Sequence, residues 1–363
     1  MTTEQSVLDA LRGVKDPELS RSLIDLDMVR DVKIDGDRVA ITLALTTVGC
    51  PLKDRIVDDV RQAVLSLPGV SDVAVDLVGM TPEERAKAFD TAAAEEKQPS
   101  LASQVNHVKQ VVAVMSGKGG VGKSLVTGLL AVALARDGKK VGILDADVTG
   151  PSIPKMFGLR QRPQGGPFGL FPVLSRMGIE VISINLLLER EDDAVIWRGP
   201  LIGNVIKQFW EDVVWGDIDY LLVDLPPGTA DAPLTVMQSL PVGGAVVVTT
   251  PQGLVGMVVR KAVRMAEQMN VPILGIVENM SYFVCPDTGK QHEIFGPSRG
   301  EKIARIAGAP LLGQLPIDPE AAKLCDAGRI EDYESDAYQS LAQSFIRGSE
   351  NRIKVNAAAQ GDR

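Results

Sequence analysis

Apolar residues along the chain fall into two patterns, short runs or alternations of strand type and longer stretches at helical spacing. In the first eighty residues, Val39–Leu45 (VAITLAL) reads as a strand. Leu52, Ile56, Val60, Ala63, Val64 and Leu67 then recur at helical spacing and predict a helix over Pro51–Leu67. Val73–Leu77, set off by the Pro68-Gly69 turn, predicts a further strand. That order describes a small α+β module over residues 1–80. From 81 to 108 the text turns Ala-rich and charged, then polar without strand pattern, as a linker with some helix would.

From Lys109 the pattern lengthens and becomes regular. Val111–Met115, Val141–Leu144, Val181–Ile184, Tyr220–Val223, Ala245–Thr249, Ile273–Val277 and Leu311–Gly313 are short apolar, β-branched runs. Helix-length amphipathic segments such as Val255–Met269 separate several of them. The alternation predicts an α/β domain over 109–352, with a mainly parallel sheet covered by helices on both faces. Ala337, Tyr338, Leu341, Ala342, Phe345 and Ile346 form an apolar stripe that predicts a core-packing helix, and 353–363 reads as a flexible tail.

At 363 residues and 45% hydrophobic, the chain has enough apolar surface for one large and one small core. The net charge of −9 argues against a protein that coats nucleic acid or anionic membrane, so neither partner is expected. No run reaches the roughly 20 apolar residues of a membrane span. Met1–Ser20 lacks the apolar centre of a signal peptide. Cys50, Cys285 and Cys325 are too scattered for a disulfide framework, and a cytoplasmic, reducing location is expected.

The chemistry concentrates in Ser116-Gly-Lys-Gly-Gly-Val-Gly-Lys-Ser124, which satisfies the P-loop pattern G-x-x-x-x-G-K-[ST]. Gly117, Lys118, Gly119, Gly120, Val121 and Gly122 would wrap backbone N–H groups round phosphate oxygens, at the start of the predicted helix Leu125–Arg136. Lys123 would pair with the β- and γ-phosphates of ATP, and the Ser124 hydroxyl would bind Mg²⁺. Asp145 and Asp147 follow the strand Val141–Leu144, where a carboxylate can support the Mg²⁺ shell or orient the attacking water. Asp147 is the candidate catalytic group. Asp224 ends the strand Tyr220–Val223, where P-loop enzymes place a second carboxylate on Mg²⁺. Hydrolysis of ATP is expected, at a slow rate. Cys50 precedes Pro51 at a predicted helix N-terminus, which would stabilise a thiolate for metal or electrophiles. Cys325 reads as core. His107 and His292 are too far apart to suggest a local metal motif.

Lys118 sets this P-loop apart. The run GKGGVGKS resembles the deviant form of the MinD, ParA and nitrogenase-iron-protein relatives, whose first lysine reaches across a two-fold interface to the partner's nucleotide. The resemblance implies a homodimer in which Lys118 acts in catalysis and ATP controls dimerisation. Further strings stand in order: Asp147-Val-Thr-Gly-Pro-Ser-Ile-Pro154, Trp197-Arg-Gly-Pro200, Asp224-Leu-Pro-Pro-Gly-Thr229 and Glu278-Asn-Met-Ser-Tyr-Phe-Val-Cys-Pro286. Together they resemble the Mrp/Nbp-type iron–sulfur cluster carriers over about Lys109 to Asp318. Asp16-Pro-Glu-Leu19 and Leu45-Thr-Thr-Val-Gly-Cys-Pro51 resemble the small iron–sulfur assembly domain often fused in front of them. The likeness implies an ATPase that carries an iron–sulfur cluster, of 4Fe-4S type, at a dimer interface and delivers it to apo-proteins alongside assembly factors. It also places Asn279 near the adenine.

One departure stands out. The family's ligands are a Cys-x-x-Cys pair, and here the string is Cys285-Pro-Asp-Thr288. Two copies of Cys285 would stand where four thiolates hold a four-iron cluster. Small thiols, a client, Cys50 or His292 are the sources left for the rest. Two other readings stay open: a nucleotide-switched adaptor with no cluster of its own, and a positioning ATPase of the ParA/MinD kind. The acidic balance and the mostly neutral or acidic face opposite the C-terminal apolar stripe weigh against the latter.

Overall fold

The computed structural model describes the backbone of residues 2–14, 22–45, 53–81, 84, 100–147, 150–188, 199–229, 231–252 and 255–361. The chain divides into two compact units, Met1–Gln98 and Pro99–Arg363.

The first unit contains α1 (Glu4–Leu11), β1 (Val29–Asp35), β2 (Arg38–Leu45), α2 (Lys53–Leu65) and β3 (Asp72–Gly79). β1 and β2 form an antiparallel hairpin that turns at Gly36, whose φ of 64° suits glycine. β2 and β3 are parallel, which requires a crossover, and α2 supplies it. Ile56, Val60 and Val64, spaced for one helix face, are buried with Val39, Ile41 and Leu43 of β2. The Asp16–Leu19 string and Cys50 lie outside the described residues.

The second unit runs α3 (Leu101–Val105), β4 (His107–Ser116), α4 (Lys123–Arg136), β5 (Val141–Asp145), α5 (Ile153–Phe157), β6 (Gln164–Gly166), β7 (Gly169–Phe171), β8 (Val173–Leu174) and β9 (Glu180–Ser183). It continues with α6 (Gly199–Glu211), β10 (Asp217–Asp224), α7 (Asp231–Ser239), β11 (Gly244–Thr249), α8 (Val255–Gln268) and β12 (Ile273–Val284). β13 (Gln291–His292), α9 (Gly300–Ala307), β14 (Leu311–Ile317), α10 (Pro319–Asp326) and α11 (Asp336–Gly361) complete it. The main sheet has the order β13-β12-β11-β4-β10-β5-β9-β8, with β14 also paired to β12. Its strands are parallel except β8 and β13.

Successive residues of each strand point to opposite faces, so an unbroken apolar run feeds two cores. Val112, Val114, Leu222, Val246 and Val248 pack with α4, α10 and α11. Val111, Ala113, Met115, Leu221, Val223 and Val247 pack with α6 to α9. The fold is the expected α/β arrangement. α4 lies between the sheet and α11 and is buried nearly all round, which explains its lack of a polar face. In α11, Tyr338, Leu341, Ala342 and Phe345 are buried in the same core.

Three differences from the sequence reading have physical reasons. α3 and the start of β4 fall within 81–108, where the polar text gives no strand signal. Asn106 ties this stretch into the second unit, its amide donating to Val213 O at 2.8 Å and its oxygen accepting from Trp215 N at 2.7 Å. The α11 backbone continues to Gly361, where a tail from 353 was expected, because nothing after Ile353 breaks a helix before Gly361. β12 runs to Val284 rather than Val277, since β14 and β13 pair with its far half. Among the described residues no helix is long and apolar enough to cross a membrane.

Candidate functional site

The site is assembled where β4 gives way to α4. Gly120 and Gly122 hold φ of 75° and 77°, left-handed values that glycine adopts without steric cost. Gly122 is doubly constrained, because a Cβ there would stand 2.3 Å from Asn279 Nδ2. That same Asn279 amide donates to Val121 O at 2.9 Å and so fixes the loop from β12. No side chain caps α4, which leaves its first-turn N–H groups for an anion.

Behind the loop, Lys123 Nζ stands 2.7 Å from Asp224 Oδ1, both residues being buried. The Ser124 hydroxyl donates to Asp224 Oδ2 at 2.5 Å. Thr127 Oγ1 lies 2.8 Å from Asp224 Oδ1 and 3.0 Å from Lys123 O, between which its one proton is shared. Asp224 arrives there because β10 pairs with β4 and β5, opposite Val114 and Asp145. An ammonium, a hydroxyl and a carboxylate at these distances fit a polyphosphate and a hard divalent cation, which takes oxygen ligands.

Asp145 sits beside Asp224 in the sheet and is fully buried. Burial pushes its carboxyl up to about 8, the Asp224 charge adds to the effect, and Lys123 and a Ser183 hydrogen bond offset part of it. That upward shift favours the protonated carboxyl, which suits a supporting role better than that of an ionised metal ligand. Ser183 Oγ donates to Asp145 Oδ2 at 3.1 Å, and the Asp147 amide lies 3.3 Å from Oδ1. Asp147 is itself mostly buried and accepts from the Gly150 amide at 3.2 Å.

Lys118 is half-buried, and its ammonium donates to Gln252 Oε1 at 2.5 Å. Gln252 follows β11, whose last residue is Thr249. Thr249 and Thr250 carry buried hydroxyls without a hydrogen-bond partner among the described residues.

β12 leads from this site to the cysteine. Past Asn279 the strand bends at Met280, with φ of 57°, and Cys285 follows its last residue, Val284. The fully buried Glu278 holds the bend. Its Oε2 accepts from Ser281 at 2.9 Å, Ser298 at 2.6 Å and Gln314 at 3.2 Å, and Oε1 from the Arg299 amide at 2.8 Å. The Cys285 amide donates to Lys290 O at 2.9 Å and the Gly289 amide to Cys285 O at 2.8 Å, closing a tight turn. Cys285 is partly exposed, and hydrogen bonds from the Thr288 hydroxyl, then from the Thr288 and Asp287 amides, hold its thiol below the ordinary value. Thr288 therefore hydrogen-bonds the sulfur from the position of the second cysteine in the resembled pair. His292 is exposed on β13, opposite Phe283. Among the described residues, no three His, Cys, Asp or Glu side chains are grouped to hold a metal ion. Cys325 is buried, and burial pushes its thiol up to about 11.

The structure thus brings together Lys123, Ser124, Asp145, Asp147, Asp224 and Asn279 around one loop, and sets Cys285 apart at the far end of β12. Sequence reasoning missed Thr127, Gln252 and Glu278. Thr127 was within reach, since it lies four residues after Lys123 on the same helix face. Gln252 carried no local signal, and Glu278 stood in the sequence only as the first residue of the Glu278–Pro286 string, with no role read for it.

The strand, glycine loop and helix, with lysine, hydroxyl and carboxylate behind them, define a P-loop nucleotide triphosphatase. Residues 107–347 match the family model of the NUBPL iron-transfer P-loop NTPases, and residues 4–77 that of iron–sulfur cluster assembly proteins. The chain belongs to the NUBPL iron-transfer P-loop NTPase family, a family of nucleotide-binding, nucleotide-hydrolysing proteins. It is 47% identical over 324 residues to the iron-sulfur cluster carrier protein of Synechocystis sp., covering 88% of each chain. To the protein of that description from Deinococcus radiodurans it is 44% identical over 359 residues, covering 98% of this chain and 97% of the other. The solved structure of a nucleotide-binding protein from Archaeoglobus fulgidus, in complex with ADP, is 49% identical with a TM-score of 0.59. That match covers 66% of this chain and 95% of the other.

Proposed function

We propose that the protein binds ATP with Mg²⁺, hydrolyses it slowly, and as a cytoplasmic homodimer carries an iron–sulfur cluster, of 4Fe-4S type, to apo-proteins. The observation that carries this reading is β12. Its Asn279 holds the P-loop at Val121, and its end presents a hydrogen-bonded, accessible cysteine. Nucleotide and cargo chemistry are joined by one strand.

In this reading the amides of Gly117–Gly122 wrap the phosphates and Lys123 pairs with the β/γ oxygens. Ser124 and Asp224 hold Mg²⁺, which when bound neutralises charge developing on the γ-phosphoryl group. Asp147 orients the attacking water, while protonated Asp145 braces Asp147 and Ser183. Asn279 lies beside the loop for the adenine. Lys118 reaches the nucleotide of a second copy. Each copy supplies one Cys285 thiolate to the cluster, and the remaining ligands come from Cys50, His292, small thiols or the receiving protein. Assembly factors would load the cluster, and neither nucleic acid nor membrane takes part.

The test is anaerobic reconstitution with iron and sulfide, followed by mixing with an apo-ferredoxin. The proposal expects transfer that responds to ATP, fails with Cys285→Ala and is strongly slowed by Lys123→Ala. A wild-type chain that binds ATP but takes up no iron would replace it with the cluster-free adaptor reading.

A further inference from the structure

We infer that Gln252 is a positioning residue that holds Lys118 within its own subunit and thereby sets how readily ATP draws two copies together. The inference rests on the proposed action of Lys118 across a dimer interface.

The two P-loop lysines are restrained differently. Lys123 is buried against the Asp224 carboxylate, a full ion pair with a second anchor through Ser124. Lys118 is half-exposed, its ammonium rests on a neutral amide oxygen, and among the described residues no carboxylate lies within ion-pair distance of it. A cation on a neutral acceptor is held more firmly than a neutral pair, and less firmly than a buried ion pair. Such a contact keeps a lysine in place yet lets it go.

The acceptor is built in rather than a passing surface partner. β11 is paired with β4 as far as Val248 opposite Ser116, so the sheet fixes where the chain after β11 meets the P-loop. Pro251 then restricts the backbone immediately before Gln252. Ser116 Oγ donates to Lys118 O at 3.0 Å, so the lysine backbone is fixed while its side chain depends on Gln252.

A lysine that must reach a second copy's nucleotide has to leave Gln252 first. In a two-fold dimer both copies must release it, so the square of the fraction of chains with Lys118 free multiplies the dimerisation constant. Gln252 therefore tunes assembly through Lys118. Gln252→Ala frees the lysine, and Gln252→Glu turns the amide contact into an ion pair and tightens it.

The test uses the full chain in wild-type, Gln252→Ala, Gln252→Glu, Lys118→Ala and Lys118→Ala/Gln252→Glu forms. Without nucleotide, amine labelling of Lys118 is followed by mass spectrometry against exposed Lys323 as internal reference. The inference expects Lys118 to label several-fold faster in Gln252→Ala and several-fold slower in Gln252→Glu. Equal rates in all three would overturn it, whatever Lys118 does in trans. With saturating MgATP, sedimentation should show dimerisation weakened on the order of tenfold in Gln252→Glu and strengthened in Gln252→Ala. The turnover number should follow dimer population, and apparent ATP affinity should shift in the same sense, because ATP binding and dimerisation are linked. In the Lys118→Ala background Gln252→Glu should have no further effect. An equal effect with and without Lys118 marks a local structural role and overturns the inference. If labelling responds as expected but Lys118→Ala leaves dimerisation and turnover intact, the trans-acting lysine fails, and Gln252 control of assembly falls with it.

Discussion

The two ends of the far half of β12 are built on opposite principles. At Asn279 the strand touches a phosphate-binding site assembled inside one chain: Lys123, Ser124 and Thr127 all converge on Asp224, and Asp145 is satisfied by Ser183 and Asp147. At Cys285 a single partly exposed thiol sits on a turn, with hydrogen bonds that favour its thiolate, and it belongs to no group of three His, Cys, Asp or Glu side chains that could hold a metal ion among the described residues. The first end is buried and preorganised for phosphate. The second offers half of a chemistry and needs another molecule for the rest. Nucleotide binding should therefore survive changes at the cysteine, while cluster binding should depend on what meets the cysteine.

The largest contrast lies in what each end contributes to the fold. Asp224→Ala leaves Lys123 buried without its counter-charge, which costs about 3–5 kcal/mol of stability. It should also lower ATP hydrolysis by roughly 10²–10³-fold or more. Denaturant unfolding and a phosphate-release assay measure both. A variant within about 1 kcal/mol of wild type would mean that the pair is not structural.

Asp145 tests the same end through pH. Its folded carboxyl titrates at about 8 against an ordinary 3.8, because burial and Asp224 disfavour its charge. The folded chain keeps a proton that the unfolded chain releases, so this contribution to stability is complete below about pH 4. It is lost as pH rises through about 8. At about 1.4 kcal/mol per pH unit, wild type should lose on the order of 2 kcal/mol relative to Asp145→Asn between about pH 6 and about pH 8. Thermal unfolding without Mg²⁺ or nucleotide reads this. Parallel curves would place an ionised Asp145 in the folded chain.

Gly122→Ala probes the join between loop and strand. The added Cβ meets the Asn279 amide at 2.3 Å in a left-handed backbone, a strain of about 1–2 kcal/mol. Roughly tenfold weaker ATP binding by calorimetry is the expected result. Unchanged affinity would show that the loop shifts freely.

These sites were unequally legible in the sequence. The phosphate loop was readable because its chemistry is contiguous from Gly117 to Ser124 and flanked by an apolar strand and a helix. Asp145 and Asp224 were readable as polar residues ending apolar runs, and the parallel sheet followed from the strand–helix rhythm. What could not be read was sheet order. Only the placement of β11 beside β4 brings Gln252 to Lys118, 134 positions away. The Glu278 cluster likewise draws on Ser281, Ser298, Arg299 and Gln314, which meet because β14 and α9 fold back on β12. β12 itself was cut short, since the polar Glu278-Asn279 pair interrupts the apolar run that marks its first half.

The smallest effect belongs to the exposed end. Thr288→Val removes the hydroxyl that contributes most to holding down the Cys285 thiol. The thiolate fraction at neutral pH should fall, and iodoacetamide alkylation should slow several-fold with no change in nucleotide affinity. An unchanged rate would assign the depression to the turn amides alone.

The central claim is that one chain suffices to bind nucleotide whereas the cargo needs two. Native mass spectrometry after anaerobic reconstitution, on wild type and Cys285→Ala with MgATP, tests it most directly. The account predicts nucleotide on both variants, and iron with sulfide only on wild-type dimers. Cluster mass on a monomer, or its retention by Cys285→Ala, would contradict it.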